Sequence, residues 1–314
     1  ALFGFASGAQ SWKPVLFPAR QLLWSGRRTR EGFTVDEAPA GGSPYGDPPY
    51  ALLGVRSCDL HAIGIHDRVL RDRVAADVHY AAARADAFVI AVACSDPGGT
   101  CFCASMGTGP RPDRGFDLCL TEIATEAGGH RLLVEVGSDR GAAVLSDVPT
   151  APADDAALAS AAAVTARAAG RMGRELDTDG LPEALQAAAG SPRWDDVASR
   201  CLACGNCTLV CPTCFCTSVD DETDLSGDAA GRWRSWDSCF TGDFSHLHGG
   251  SVRSSIGSRY RQWATHKLSS WHDQFGTSGC VGCGRCIAWC PAAIDITQEA
   301  AAVRADPGPR TERP

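Results

Sequence analysis

Cys201-Leu-Ala-Cys204-Gly-Asn-Cys207-Thr-Leu-Val-Cys211-Pro212 and Cys280-Val-Gly-Cys283-Gly-Arg-Cys286-Ile-Ala-Trp-Cys290-Pro291 share one pattern, C-x2-C-x2-C-x3-C-P. That spacing surrounds a [4Fe–4S] cubane. Each of the four irons needs a thiolate, and three cysteines at i, i+3 and i+6 on a tight loop wrap three corners. The fourth cysteine leads away into a helix, and where two such runs occur it ligates the other cluster. The proline after it cannot donate a backbone hydrogen bond and suits a first helical turn. The expected sets are Cys201, Cys204, Cys207 and Cys290 for cluster 1, and Cys280, Cys283, Cys286 and Cys211 for cluster 2. Gly205, Gly282 and Gly284 are expected to let the backbone approach the sulfides. Zinc also takes C-x2-C pairs, but it accounts for neither the third and fourth cysteines nor the proline, each present twice.

The rest of the composition narrows the class. A chain of 314 residues can bury a good core and is expected to form two domains. The net charge of −8 disfavours a nucleic-acid partner. No apolar run approaches a membrane span. Sixteen cysteines in metal-type spacings, in a chain this long, point to a reducing cytoplasm instead of a disulfide scaffold. The only lysines are Lys13 and Lys267, which reads as compositional bias toward arginine. Ala1 to Gly8 reads as an interior segment, so the N-terminus is expected to be truncated.

Outward from the two runs, the pattern predicts an α/β domain over residues 1–150. Pro44, Pro48 and Pro49 with Gly41, Gly42 and Gly46 form a loop. Ala51 to Val55 is a strand, followed by a helix capped by Asp59 and running to about Leu70. Ala87 to Ala93 is a second strand, Leu118 to Ala127 a helix, and His130 to Val136 a third strand. Residues 151–190 form an alanine-rich helical connector. A short helix over 192–200 then opens an α+β, two-cluster, ferredoxin-like domain spanning 191–300. It contains a long insertion, 213–279, whose arginines and tryptophans are expected to pack around the clusters and dock a partner. Residues 301–314 read as a disordered tail.

Eight cysteines lie outside the two runs. Cys58, Cys94, Cys101 and Cys103 fall in loops at one end of the predicted sheet, and a C-x-C pair after Gly98-Gly99 fits core packing poorly. They are the expected ligands of a third cluster. Cys119 sits in an apolar pattern and reads as core. Cys214, Cys216 and Cys239 either hold a further metal site, with Asp237 nearest as a fourth donor, or neighbour the clusters without metal. His246 and His248 read as loop residues. There is no G-x-G-x-x-G after a strand and no P-loop, so no flavin or nucleotide site is expected, and no catalytic residue stands out. A chain that moves single electrons without such a site needs partners for two-electron chemistry.

Together these motifs resemble the β subunit of cytoplasmic, NAD(P)-linked [NiFe] hydrogenases, the sulfhydrogenases, a group that also includes the corresponding iron–sulfur component of anaerobic sulfite reductases. The resemblance covers about residues 10–297. It is carried by Gly54-Val-Arg-Ser-Cys58-Asp59-Leu-His-Ala-Ile63, Cys94-Ser-Asp-Pro-Gly-Gly-Thr-Cys-Phe-Cys103, Cys211-Pro-Thr-Cys-Phe-Cys216, Trp236-Asp-Ser-Cys239, His266-Lys267 and the second cysteine run. Ser57 departs from it, standing where proline is expected, which should loosen that turn. The start of the chain is also shorter than in family members. The resemblance implies a heterotetramer with a flavin- and NAD(P)-binding γ subunit, a small δ subunit with clusters and a large [NiFe] subunit. This chain would be their non-catalytic electron relay. The alternatives are the iron–sulfur component of an anaerobic sulfite reductase, and a structural zinc protein or free-standing ferredoxin adaptor.

Overall fold

A computed structural model describes residues 2–4, 8–37, 49–124 and 129–308. The predicted loop around Gly41 to Pro48 and the last residues of the tail, 309–314, lie outside the described residues.

Two four-stranded sheets frame the chain. Strands β1 (Arg20–Thr29) and β2 (Gly32–Glu37) precede the predicted domain core, which holds β3 (Ala51–Val55), β4 (Phe88–Val92), β5 (Leu118–Ala124) and β6 (His130–Val136). The insertion supplies β7 (Thr217–Thr223) and β8 (Ala229–Trp236). One sheet has the order β3-β4-β5-β6: its first three strands are parallel and β6 runs antiparallel to β5. The other, β2-β1-β8-β7, is antiparallel throughout. Its central pair joins residues 20–27 to 229–235, so the N-terminal segment and the insertion complete each other.

The strands over 51–55 and 88–92 and the strand His130–Val136 agree with the sequence reading. The predicted helix over 118–127 is instead strand β5 through Ala124, with 125–127 outside the described residues. Leu118, Cys119, Thr121, Glu122 and Ile123 are all buried there, on both sides of the strand. A strand covered on both faces loses the alternation that marks strands, and Glu122 and Ala124 add helix propensity. Asp59 is not a cap either. The helix begins at Ser57, after Arg56, and Asp59 lies in its first turn. The tail expectation is corrected over 301–305, which complete the helix Ile296–Ala305, begun by an Asp295 cap on Thr297.

Parallel strands need crossovers, and two helices, Ser57–His66 and Val78–Asp86, connect β3 to β4. The return from β4 to β5 is the cysteine-bearing loop 93–117. Loops at the carboxyl ends of such strands form the crevice of an open α/β sheet. Here the crevice is filled by the second cysteine run. Phe102 N donates to Gly282 O at 2.8 Å, and Thr108 Oγ1 to Val281 O at 2.7 Å. The connector clamps the same loop. Arg174 N donates to Cys101 O at 3.0 Å, and its guanidinium pairs with Asp295 at 2.5 Å.

Candidate iron–sulfur sites

The two runs fold alike. In the first, Ala203 (φ 50°) and Gly205 (φ 75°) take left-handed conformations, and in the second Gly282 (φ 63°) and Gly284 (φ 73°) do. Each reversal turns the chain around the space that the sulfurs face. Backbone amides point into it: Ala203 N lies 3.4 Å from Cys201 Sγ, Gly282 N 3.4 Å from Cys280 Sγ, and Ile294 N 3.3 Å from Cys290 Sγ. Such N–H···S bonds stabilise negative charge on sulfur, one of the levers on a cluster's potential. Gly282 and Gly284 also have a reason the sequence did not reveal. A Cβ on Gly282 would lie 2.6 Å from the Phe102 carbonyl oxygen, and one on Gly284 2.2 Å from that of Thr100. Their space is taken by the 100–103 loop.

Cys201, Cys204, Cys207 and Cys290 line one small cavity with Phe240, Tyr260, Trp263 and Ile294. Cys211 lies in electrostatic range of Cys280, Cys283 and Cys286. The structure thus groups the fourth cysteine of each run with the first three of the other. Cys58, Cys94, Cys101 and Cys103 also come together, all buried: Cys103 faces Cys94 and Cys101, and Cys58 faces Cys103. Ser57, expected to loosen this turn, is buried, and its hydroxyl donates to Arg111 O at 2.9 Å. Cys119 is core, within β5.

The three groups adjoin. Cys101 Sγ lies 3.8 Å from Cys283 O, and Cys286 is in range of Cys207 and borders the first cavity. Burial pushes the thiols of Cys58, Cys207 and Cys286 well up, and those of Cys103 and Cys280 up to about 12. A metal that binds them must therefore displace protons. Cys211 differs: a hydrogen bond from Cys214 draws its thiol well down against burial, and Lys267 adds to the effect. Among the described residues, no three or more His, Cys, Asp or Glu side chains converge as a single ion requires. The C-x2-C-x2-C-x3-C-P pattern, present twice, is what favours a cubane over a single ion.

Two features escaped the sequence reading. Arg285, inside the second run, forms a buried two-pronged pair with Asp59, at 2.8 and 3.2 Å. It binds the helix after β3 to the second cysteine run, beside Cys58 and Cys283. The two lysines are also buried: Lys267 Nζ donates to Cys211 Sγ at 3.2 Å, and Lys13 Nζ to Cys211 O at 3.4 Å. Their rarity, read as bias, was the available signal.

A family described as a 4Fe-4S dicluster domain matches residues 200–294. The chain is 35% identical over 258 residues to sulfhydrogenase 2 subunit beta of Pyrococcus furiosus, covering 80% of this chain and 72% of that protein. The chain belongs to the sulfhydrogenase β-subunit family. No solved structure matches it. Membership makes it an iron–sulfur protein of the 4Fe–4S type, a hydrogenase-type electron-transfer subunit with a dicluster domain in a mixed α/β chain. No described helix is long and apolar enough to cross a membrane.

Proposed function

We propose that this chain is the electron relay of a multi-subunit, NAD(P)-linked [NiFe] hydrogenase of the cytoplasm. It passes single electrons between the hydrogenase small and large subunits and a partner that binds flavin and NAD(P), and holds no catalytic residue, flavin or nucleotide itself. Cys201, Cys204, Cys207 and Cys290 hold one [4Fe–4S] cluster, and Cys280, Cys283, Cys286 and Cys211 the second. Cys58, Cys94, Cys101 and Cys103 hold a third. The observation that carries the reading is the adjacency of the three cysteine groups, through Cys286 and Cys207 on one side and Cys283 and Cys101 on the other. Adjacent one-electron centres make a path, and the partner's flavin converts it to hydride chemistry.

The path has an exposed end. Cys204 is exposed, and Leu202, Leu209 and Trp289 stand out to solvent around the first run. Exposed apolar side chains beside a cluster suit a partner that must bring its own centre close.

The test is purification of the tagged chain from its native host, followed by assay of the complex. Flavin and [NiFe] subunits are expected to co-purify. Cys207→Ser should abolish hydrogen-dependent NAD(P) reduction while dye reduction at the [NiFe] subunits survives. A sirohaem protein in their place would assign the chain to an anaerobic sulfite reductase. Full coupled activity in Cys207→Ser would remove the relay role.

A further inference from the structure

The helix Ile256–Thr265, within the insertion, forms one wall of the first cysteine group. Ser255 caps it, its hydroxyl accepting from Ser258 N at 3.1 Å. Two contacts fix how the helix is turned. A Cβ on Gly257 would lie 3.3 Å from Trp194 O, so the helix sits close against the helix Arg193–Arg200. Arg261 Nη1 donates to Ala189 O at 2.7 Å. Tyr260 and Trp263, three residues apart, share a face, and both line the cavity with Cys201, Cys204, Cys207 and Cys290. Phe240 braces them, its ring 6.3 Å from that of Tyr260 and 6.1 Å from that of Trp263.

Both side chains carry a donor that the protein leaves unused. Tyr260 and Trp263 are 2% and 4% exposed, and among the described residues neither the Tyr260 hydroxyl nor the Trp263 indole N–H has a hydrogen-bond partner. Buried tyrosines and tryptophans ordinarily find one. Trp194, on the adjoining helix, does: its Nε1 donates to Ala188 O at 2.7 Å. Tyr80, equally buried, donates to Asp67 at 2.8 Å. Tyr260 has sulfur around it instead, with Cys201, Cys207 and Cys286 in electrostatic range of its hydroxyl. Two orphaned donors over a set of cysteines fit an occupant rich in acceptors, and a [4Fe–4S] cluster presents sulfide and thiolate sulfurs.

We propose that Tyr260 and Trp263 donate hydrogen bonds to sulfurs of the cluster held by Cys201, Cys204, Cys207 and Cys290, and thereby raise its reduction potential. One electron added to such a centre increases the negative charge on its sulfurs. A donor then gains more from the reduced form than from the oxidised one, which favours reduction. Neither donor gives up its proton. The backbone amides of Ala203 and Ile294 come with the cysteine loops themselves. These two donors are side chains brought from the insertion, so they set the potential without shaping the loops. The inference rests on the cluster assignment proposed above and adds the residues that tune it.

The test is a redox titration of the anaerobic holo-chain followed by electron paramagnetic resonance, reading the signal that Cys207→Ser removes. Tyr260→Phe and Trp263→Phe should each keep the iron content and lower the midpoint potential, by about tenfold in the reduction equilibrium, which is about 59 mV for one electron. Phe240→Leu alters the same wall without touching a donor and should leave the potential in place. Replacing tyrosine throughout with 3-fluorotyrosine, a stronger donor of nearly the same size, should raise the potential, and the rise should vanish in Tyr260→Phe. Potentials that stay put in both variants and in the fluorinated chain would overturn the inference. An equal drop in Phe240→Leu would also overturn it, by making packing the cause. An iron content that Cys207→Ser leaves intact would instead remove the cluster from this site, and the inference with it.

Discussion

The buried pair Asp59–Arg285 is expected to be the strongest single tie between the β3–β6 sheet and the second cysteine run. Its side chains are 8% and 4% exposed, and its two bonds are 2.8 and 3.2 Å long. Unit charges about 4 Å apart attract by about 4 kcal/mol at an effective dielectric near 20. Asp59→Asn keeps the shape and removes the charge. The guanidinium then retains the Gly8 carbonyl, 3.2 Å from Nε, with no carboxylate. Removing one partner of a buried pair costs about 3–5 kcal/mol, whereas replacing both with neutral groups costs far less. The assay is a double-mutant cycle, Asp59→Asn with Arg285→Met, read as the urea midpoint of the anaerobic holo-chain by tryptophan fluorescence. Each single variant should lose about 3 kcal/mol or more, and the double variant much less than their sum. Single losses below about 1 kcal/mol, or strict additivity, would mean that the pair is screened or dispensable and that the sheet is held to the run by other contacts.

Three further perturbations address other parts of the structure. Gly284→Ala sets a Cβ against the Thr100 carbonyl at a φ of 73°, and should cost about 2 kcal/mol or more, seen as a lower melting temperature and faster loss of cluster absorbance; wild-type behaviour would mean that the 100–103 loop yields easily. Replacing Cys101 and Cys103 with Ser should lower the iron content by about four per chain, and an unchanged content would refute the third cluster. His66 is fully buried, neither ring nitrogen is hydrogen-bonded among the described residues, and burial holds its pKa well below 6.5. Unfolding then takes up a proton below pH 6.5, so stability should fall as pH drops below that value, by about 1.4 kcal/mol per unit, and be flat above it. His66→Phe, in the box of Trp12 and Phe17, should remove that slope when the two pH profiles are subtracted; an identical slope in both proteins would show that His66 is protonated in the fold.

Much of the candidate site was legible in the cysteine spacing, because ligand geometry acts through short, fixed intervals. The crossed grouping of Cys211 and Cys290 follows from it, as does the clustering of Cys58, Cys94, Cys101 and Cys103 at strand ends. Long-range complements were not legible. No local pattern says that Arg20 to Thr29 pairs with a strand two hundred residues later, since an antiparallel edge needs only ordinary β propensity. Strand β5 was read as helix because burial on both faces erased its period. Asp59 was read as a cap because an acid at a helix start usually is one. Its partner lies in the second cysteine run, where sequence alone gives arginine no reason to be buried.

That long-range pairing changes what the insertion is for. From the sequence, 213–279 is expected to pack around the clusters and dock a partner, with no hint that it pairs with the N-terminal strand. Yet β8 is the inner neighbour of β1, and Trp236 at its end donates to Phe17 O at 3.1 Å, stacks on the Phe17 ring and lies beneath Lys13. The hairpin and the N-terminal segment close over Cys211 from two sides, and the π-helical turn His266–Ser270 brings Lys267 from the third. Here the insertion acts first as a wall. It covers Cys211 and brings Lys267 beside it, as the N-terminal segment brings Lys13, and positive charge there would raise the electron affinity of a bound cluster. The first group keeps its exposed edge at Cys204, outside that wall. Cys211 is thereby buried while Cys204 is exposed, an asymmetry that would give electron flow through the proposed relay a defined end.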